Sequence, residues 1–180
     1  MLRRGDPLAN LEPLIKRVYA YVAYRVGDGV DAEDITSATF ERALRYRASF
    51  DPKLGEPVAW LIGIARREIS VHFAGTSHAG IDTVDVAAAG DLAADTATRL
   101  DLHTAVATLE ERDRELIALR YGADLSARQV AEVLELKTNA VEVALHRALR
   151  RLRDRMTSPQ SASDSASEPR RVADSYPIRV

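Results

Sequence analysis

The chain has 180 residues, 46% of them hydrophobic, no cysteine and a formal net charge of −2. That suffices for one or two small cores. It excludes disulfides and thiolate metal centres, and it excludes a generic polyanion binder, whose charge would be strongly positive.

Residues 8–73 read as helical throughout. Leu11, Leu14, Ile15, Val18, Tyr19 and Val22 recur at helical spacing and form one apolar stripe. A second helix is predicted over Asp31 to Arg47, with Ile35, Phe40, Ala43 and Leu44 facing inward. The stretch Phe50 to Pro57 holds two prolines and a glycine and reads as a loop. Val58 to Phe73 is a further helix with Trp60, Leu61, Ile64, Ala65 and Ile69 on its apolar face. Residues 74–99 change character. They are rich in Ala, Gly, Thr and Asp, and Asp82, Asp85, Asp91 and Asp95 have no arginine or lysine among them before Arg99. This is expected to be a flexible acidic linker. Residues 100–156 are helical again. Residues 157–180, rich in Ser, Ala and Pro, are expected to be disordered. The fold expected is all-α: two small helical domains, 1–73 and 100–156, joined by a flexible linker.

Within the second domain, Ser126 and Gln129 have the spacing of a capping box at a helix start. Val130, Val133 and Leu134 give that helix an apolar face. A turn at Glu135-Leu136-Lys137 leads into a helix from Thr138 to Arg155, where Val141, Leu145, Ala148, Leu149 and Leu152 recur at helical spacing. Its other face carries His146, Arg147, Arg150, Arg151, Arg153 and Arg155. This is a helix-turn-helix pattern, which places the second helix in a DNA major groove and its arginines near phosphates.

Catalytic patterns are missing. The four histidines, His72, His78, His103 and His146, have no metal-site spacing. No glycine-rich loop precedes a helix in a way that could cradle phosphates. Glu110, Glu111 and Asp113 read as a solvated helix start near the positive end of the helix dipole. No metal, cofactor or enzymatic activity is expected. No apolar run reaches membrane-spanning length, and no hydrophobic stretch follows residues 1–6. Neither membrane insertion nor secretion is therefore expected, and the cytoplasm is the expected location.

Taken together, the two helical blocks resemble the extracytoplasmic-function sigma factors, small promoter-recognition subunits of bacterial RNA polymerase. The first block carries the resemblance through Asp31-Ala32-Glu33-Asp34-Ile35-Thr36, Phe50-Asp51-Pro52 and Ala59-Trp60-Leu61-Ile62-Gly63-Ile64-Ala65-Arg66. The second carries it through Leu109 to Tyr121, Leu125 to Leu134 and Leu145-His146-Arg147-Ala148. The resemblance implies core RNA polymerase as a partner, through the clamp of its beta-prime subunit and its beta flap, together with promoter DNA. An anti-sigma factor is a further candidate partner. It also implies that Asp34, Ser37, Phe40, Glu41 and Arg42 dock on polymerase. Phe50, Lys53, Trp60, Arg66 and Arg67 would meet the melted minus-ten strand, for which a base needs an aromatic or cationic surface. Core packing is the competing role for Trp60. Lys137, Thr138, Asn139, Glu142, His146, Arg147, Arg150 and Arg151 would lie at the minus-thirty-five element.

Departures from the family pattern are informative. Ser37 and Ala38 stand where glutamine and glutamate are usual, and Arg67 where asparagine is common. Glu135 replaces the usual turn glycine; in the left-handed region it would carry strain of about 1 kcal/mol. Glu142-Val143-Ala144 replaces a Lys-Ser-Arg triplet, which removes phosphate-binding charge. Either promoter affinity is modest or Lys137, Asn139, His146, Arg147 and Arg150 carry it; Asn139 is a good candidate for an adenine edge, since an amide can donate and accept there. The alternative function is a sigma-like interaction protein or a stand-alone helix-turn-helix repressor that uses the C-terminal block alone.

Overall fold

A computed structural model describes residues 6–76 and 102–157. Among the described residues it is all-helical. The expected linker, apart from residues 74–76, and the expected tail, apart from Thr157, lie outside them.

Helix α1 runs over Leu11–Val26. It starts after a turn in which the Leu8 N–H donates to Asp6 Oδ1 at 3.0 Å. It ends at Gly27, whose φ of 98° is a conformation that a side chain would strain. Helix α2 covers Val30–Tyr46 and runs into a single 3-10 turn, Arg47–Ser49. The loop that follows is tightened by Asp51, whose carboxylate accepts from the Lys53 N–H at 2.9 Å. Helix α3 spans Pro57–Thr76, with proline at its first position, where no N–H is needed. It outruns the expected end at Phe73 by three residues.

In the second block, α4 is described over 102–107. Helix α5, Glu111–Ile117, widens into a π-turn over Ala118–Gly122. Helix α6, Ala127–Leu134, opens on the expected capping box, with both the Ser126 and the Gln129 side-chain bonds made. It closes on Glu135 at φ 55°, ψ 40°, in the left-handed region where the resembling family's turn glycine would stand. Helix α7, Thr138–Thr157, completes the helix-turn-helix.

The burial pattern corrects several inward assignments. Leu11 and Ile15 are each 43% exposed and Leu44 is 55% exposed. The stripe α1 buries is shifted round to Val18, Tyr21, Val22 and Arg25, which share one face at i, i+3, i+4 and i+7.

The main finding is how the blocks meet. Helices α1, α2 and α3 pack on one another, and α7 packs on both α5 and α6, but α1 also lies along the π-turn and α5. One buried cluster runs from Val18 and Val22 of α1, through Leu61 of α3, to Leu116, Leu119, Leu125 and Val141 of the second block. A smaller cluster (Val106, Leu109, Ile117, Ala148, Leu152) belongs to the second block. The sequence pattern does not anticipate this shared core. No described helix is long and apolar enough to cross a membrane.

Candidate nucleic-acid and polymerase interfaces

Three surfaces carry the residues singled out from the sequence. On α2, Asp34, Ser37 and Glu41 are exposed. Their i, i+3, i+7 spacing makes one acidic-polar face. Phe40 and Arg42 only partly belong to it. Phe40 packs against the main cluster, and the Arg42 Nε is paired with Glu68 of α3 at 2.6 Å. Both help to hold α2 against the bundle.

The second surface is the loop before α3. Phe50 and Trp60 meet with ring centroids 5.6 Å apart and planes inclined by 59°, an arrangement aromatic pairs favour. They line a cleft of about 240 Å³ with Asp51, Leu54, Gly55 and Glu56 on one side. Trp60 is half-buried, so it both packs and faces the cleft. Lys53 and Arg67 are exposed. Glu132 and Val133 of α6 form the other wall. Arg66 is drawn to the same neighbour: it donates to the Val133 carbonyl at 3.2 Å and pairs with Glu115 at 3.1 Å. Thus Arg66, expected to meet DNA, is engaged within the protein.

The third surface is α7. Lys137, Asn139, Glu142, His146, Arg147 and Arg150 are exposed, and Thr138 is half-buried at the helix start. At about 100° per residue, Asn139, Val143, His146 and Arg150 fall on one stripe. Val141, Ala148 and Leu152 hold the opposite side in the core. Arg151 departs from expectation: its Nη1 binds Asp113 of α5 at 2.8 Å, so much of its charge is committed internally. Asp113 is likewise not a solvated helix-start residue. It is 6% exposed and paired.

The residues that sequence reasoning missed lie between the blocks. The Glu115 carboxylate is buried on α5. It accepts from the Tyr21 hydroxyl at 3.0 and 3.2 Å, pairs with the Arg25 guanidinium, and meets Arg66. Arg25 also reaches Glu111. Burial pushes the Tyr21 hydroxyl up to about 12, against the pull of the two arginines. The Arg17 guanidinium donates to the Ala123 and Asp124 carbonyls at 2.7 and 3.0 Å. An arginine and a tyrosine on the buried stripe of α1 were the available signal, since a charge on such a face requires a partner.

Comparison with known proteins follows the same division into blocks. Residues 11–78 match the family Sigma-70 region 2, and residues 99–152 match Sigma-70, region 4. The ECF RNA polymerase sigma factor SigD of Mycobacterium tuberculosis is 31% identical over 171 residues, covering 85% of this chain and 76% of that protein. BldN of Streptomyces coelicolor, also an ECF sigma factor, is 33% identical over 75% of this chain, which spans only 54% of BldN. Among solved structures, the sigma factor RpoE of Bartonella quintana, in complex with the anti-sigma factor NepR, is similar in fold. Its TM-score is 0.65 at 21% identity, over 79% of this chain and 91% of that one.

Proposed function

The chain belongs to the sigma-70 family, among the extracytoplasmic-function sigma factors, and on that premise we propose that it directs core RNA polymerase to its promoters. The acidic-polar face of α2 docks on the polymerase clamp through Asp34, Ser37 and Glu41. The loop around Phe50 and Lys53, with Trp60 and Arg67 of α3, receives the melted minus-ten strand, while Arg66, held by Glu115 and the Val133 carbonyl, supports this surface from behind. Helix α7 enters the major groove at the minus-thirty-five element, where residues near the start of a recognition helix reach base edges. Asn139 reads a base there, and Lys137, His146, Arg147 and Arg150 meet phosphates. Glu142 opposes them, so affinity for this element is modest and leans on the later arginines. An anti-sigma factor is a candidate regulator, and the cytoplasm, where polymerase resides, is the working location. Catalysis belongs to polymerase.

The observation that carries this reading is the presence of both matched blocks on one chain, each presenting exposed side chains where contact is needed. A stand-alone repressor would require only the second block and leaves the α2 face without a use. The test is transcription in vitro with core polymerase and the full chain on promoters with and without a minus-ten element. Initiation should require the chain and the element. Reversing charge at Asp34 and Glu41 together should abolish polymerase binding while leaving the helical content intact. Transcription that ignores the chain, or polymerase binding unaffected by the double reversal, contradicts the assignment.

A further inference from the structure

We infer that Val143 is a base-reading residue of α7 and that it reads a thymine through the C5-methyl group. The inference rests on the reading of α7 as the helix that enters the major groove. It goes beyond that reading by assigning one contact that contains no hydrogen bond.

Position comes first. Val143 is 51% exposed, and apart from Met156 in the last turn it is the one large apolar side chain that α7 leaves exposed. A single exposed valine needs no explanation by itself. This one stands inside the stripe of Asn139, His146 and Arg150, all exposed. At about 100° per residue it lies about 40° round the helix from Asn139, about 60° from His146 and about 20° from Arg150. Val141, Ala148 and Leu152, which hold α7 in the core, lie about 140–180° away from it. Val143 therefore points where the helix stands furthest from the protein. Glu142 and Arg147 lie about 70° to either side of the stripe's centre, towards the phosphate walls of a groove. Val143 faces the floor between them, where the base edges are.

Distance along the helix supports the same placement. Val143 is about 6 Å beyond Asn139, and base pairs stack about 3.4 Å apart. The pair it meets is thus within about two steps of the one that Asn139 meets. Residues near the start of a recognition helix are those that contact bases. Arg150 is about 16 Å beyond Asn139, more than the roughly 12 Å width of the major groove. It is left to phosphate, as the first turns are left to bases.

Chemistry then selects the base. A valine side chain has neither donor nor acceptor. In the major groove guanine, cytosine and adenine present donors and acceptors, and thymine adds a methyl group. Against a donor or acceptor, the isopropyl group strips water from a polar atom and returns no bond. Against the methyl, it removes apolar surface of both partners from water. The two effects have the same sign, so thymine is favoured over each of the others. The β-branch also restricts χ1 in a helix, so little rotamer freedom is lost on contact. Serine is the family's residue at this place, and its hydroxyl can bond to several base edges. Valine narrows that choice to one methyl.

The test uses the full chain bound to core polymerase. A pool of duplexes randomised over the minus-thirty-five segment is offered to the complex, and the bound duplexes are sequenced. The parent should enrich thymine at one position, within two base pairs of the position whose preference Asn139→Ala relaxes. Deoxyuridine in place of that thymine removes the methyl and nothing else. Affinity should fall about fourfold, the worth of one methyl-sized group taken out of water. In Val143→Ser, thymine and deoxyuridine should bind alike. Cytosine at the same position should gain about fourfold from 5-methylation in the parent and nothing in Val143→Ser. Val143→Ala, a better helix former, should shrink both methyl effects, which separates a lost contact from a damaged helix. Equal affinity of the parent for thymine and deoxyuridine overturns the inference. A methyl effect of full size in both variants also overturns it, because another residue then reads the methyl. If Asn139→Ala and Arg150→Ala weaken binding while the methyl effect is missing, the promoter reading stands and only the role of Val143 falls. A pool without enrichment removes both. Weaker polymerase binding by Val143→Ser, with base preference unchanged, would place Val143 against protein and overturn the inference.

Discussion

Leu119→Ala tests whether the two blocks share one core. Leu119 lies in the π-turn of the second block and is fully buried, within the cluster that also holds Val18 and Val22 of α1 and Leu61 of α3. Truncating a buried leucine removes its transfer free energy and leaves a partly uncollapsed cavity, a loss of about 3 kcal/mol. If the cluster is one cooperative unit, the N-terminal block must feel that loss, although the substitution is made in the other block. With a urea slope of about 2 kcal/mol per molar, the unfolding midpoint falls by about 1.5 M. Trp60, the single tryptophan, sits on α3. Its fluorescence therefore follows the N-terminal block, and far-ultraviolet circular dichroism follows all helices. Both midpoints should move together by the full amount. A fluorescence midpoint that stays in place, with an added early phase in the dichroism, would show independently unfolding blocks and refute the reasoning.

Three further outcomes follow from named contacts. Glu135→Gly relieves a left-handed cap at φ 55°. The gain outweighs the extra chain entropy of glycine, so stability should rise by about 0.5 kcal/mol in urea melts; a fall would mean the cap carries no strain. On α7, Arg150→Ala should weaken binding to every minus-thirty-five duplex and lower the salt slope by about one unit, whereas Asn139→Ala should cost about 1–3 kcal/mol and relax preference at one base pair. Glu142→Lys should tighten binding without changing preference, and silence of all three substitutions would remove α7 from the DNA. Finally, burial holds the Tyr21 hydroxyl at about 12, above its ordinary 10.0. A raised value favours the neutral phenol in the folded state, so its contribution is complete below pH 10 and is lost as the pH climbs towards 12. Tyr21→Phe should reduce the alkaline fall in stability, and an identical fall in both proteins would contradict this.

Local order was legible in the residues themselves. The Ser126 and Gln129 capping box and the buried side of α7 follow from spacing, because a helix reads its own sequence through neighbours three and four residues away; the left-handed Glu135 was raised only by the resemblance, which puts a glycine in that turn. The two-block, sigma-like organisation was legible for the same reason: motifs and periodicity are local. The pairing of the blocks was not. Tyr21 and Glu115 are separated by 94 residues, and periodicity shows which face of a helix is apolar without showing what covers it. Leu44 was assigned inward but lies exposed because α1 and α3 meet α2 on a narrower face than its apolar residues occupy. Asp113 reads as part of a solvated helix start until Arg151 arrives from α7, and Glu115 carries no local signal of the Arg25 and Arg66 that meet it from other helices. Spacing along the chain thus decided which helices form and which faces carry charge. Only the tertiary structure decided which charges are committed to one another and which remain exposed, because a charge loses its water only when distant segments close over it.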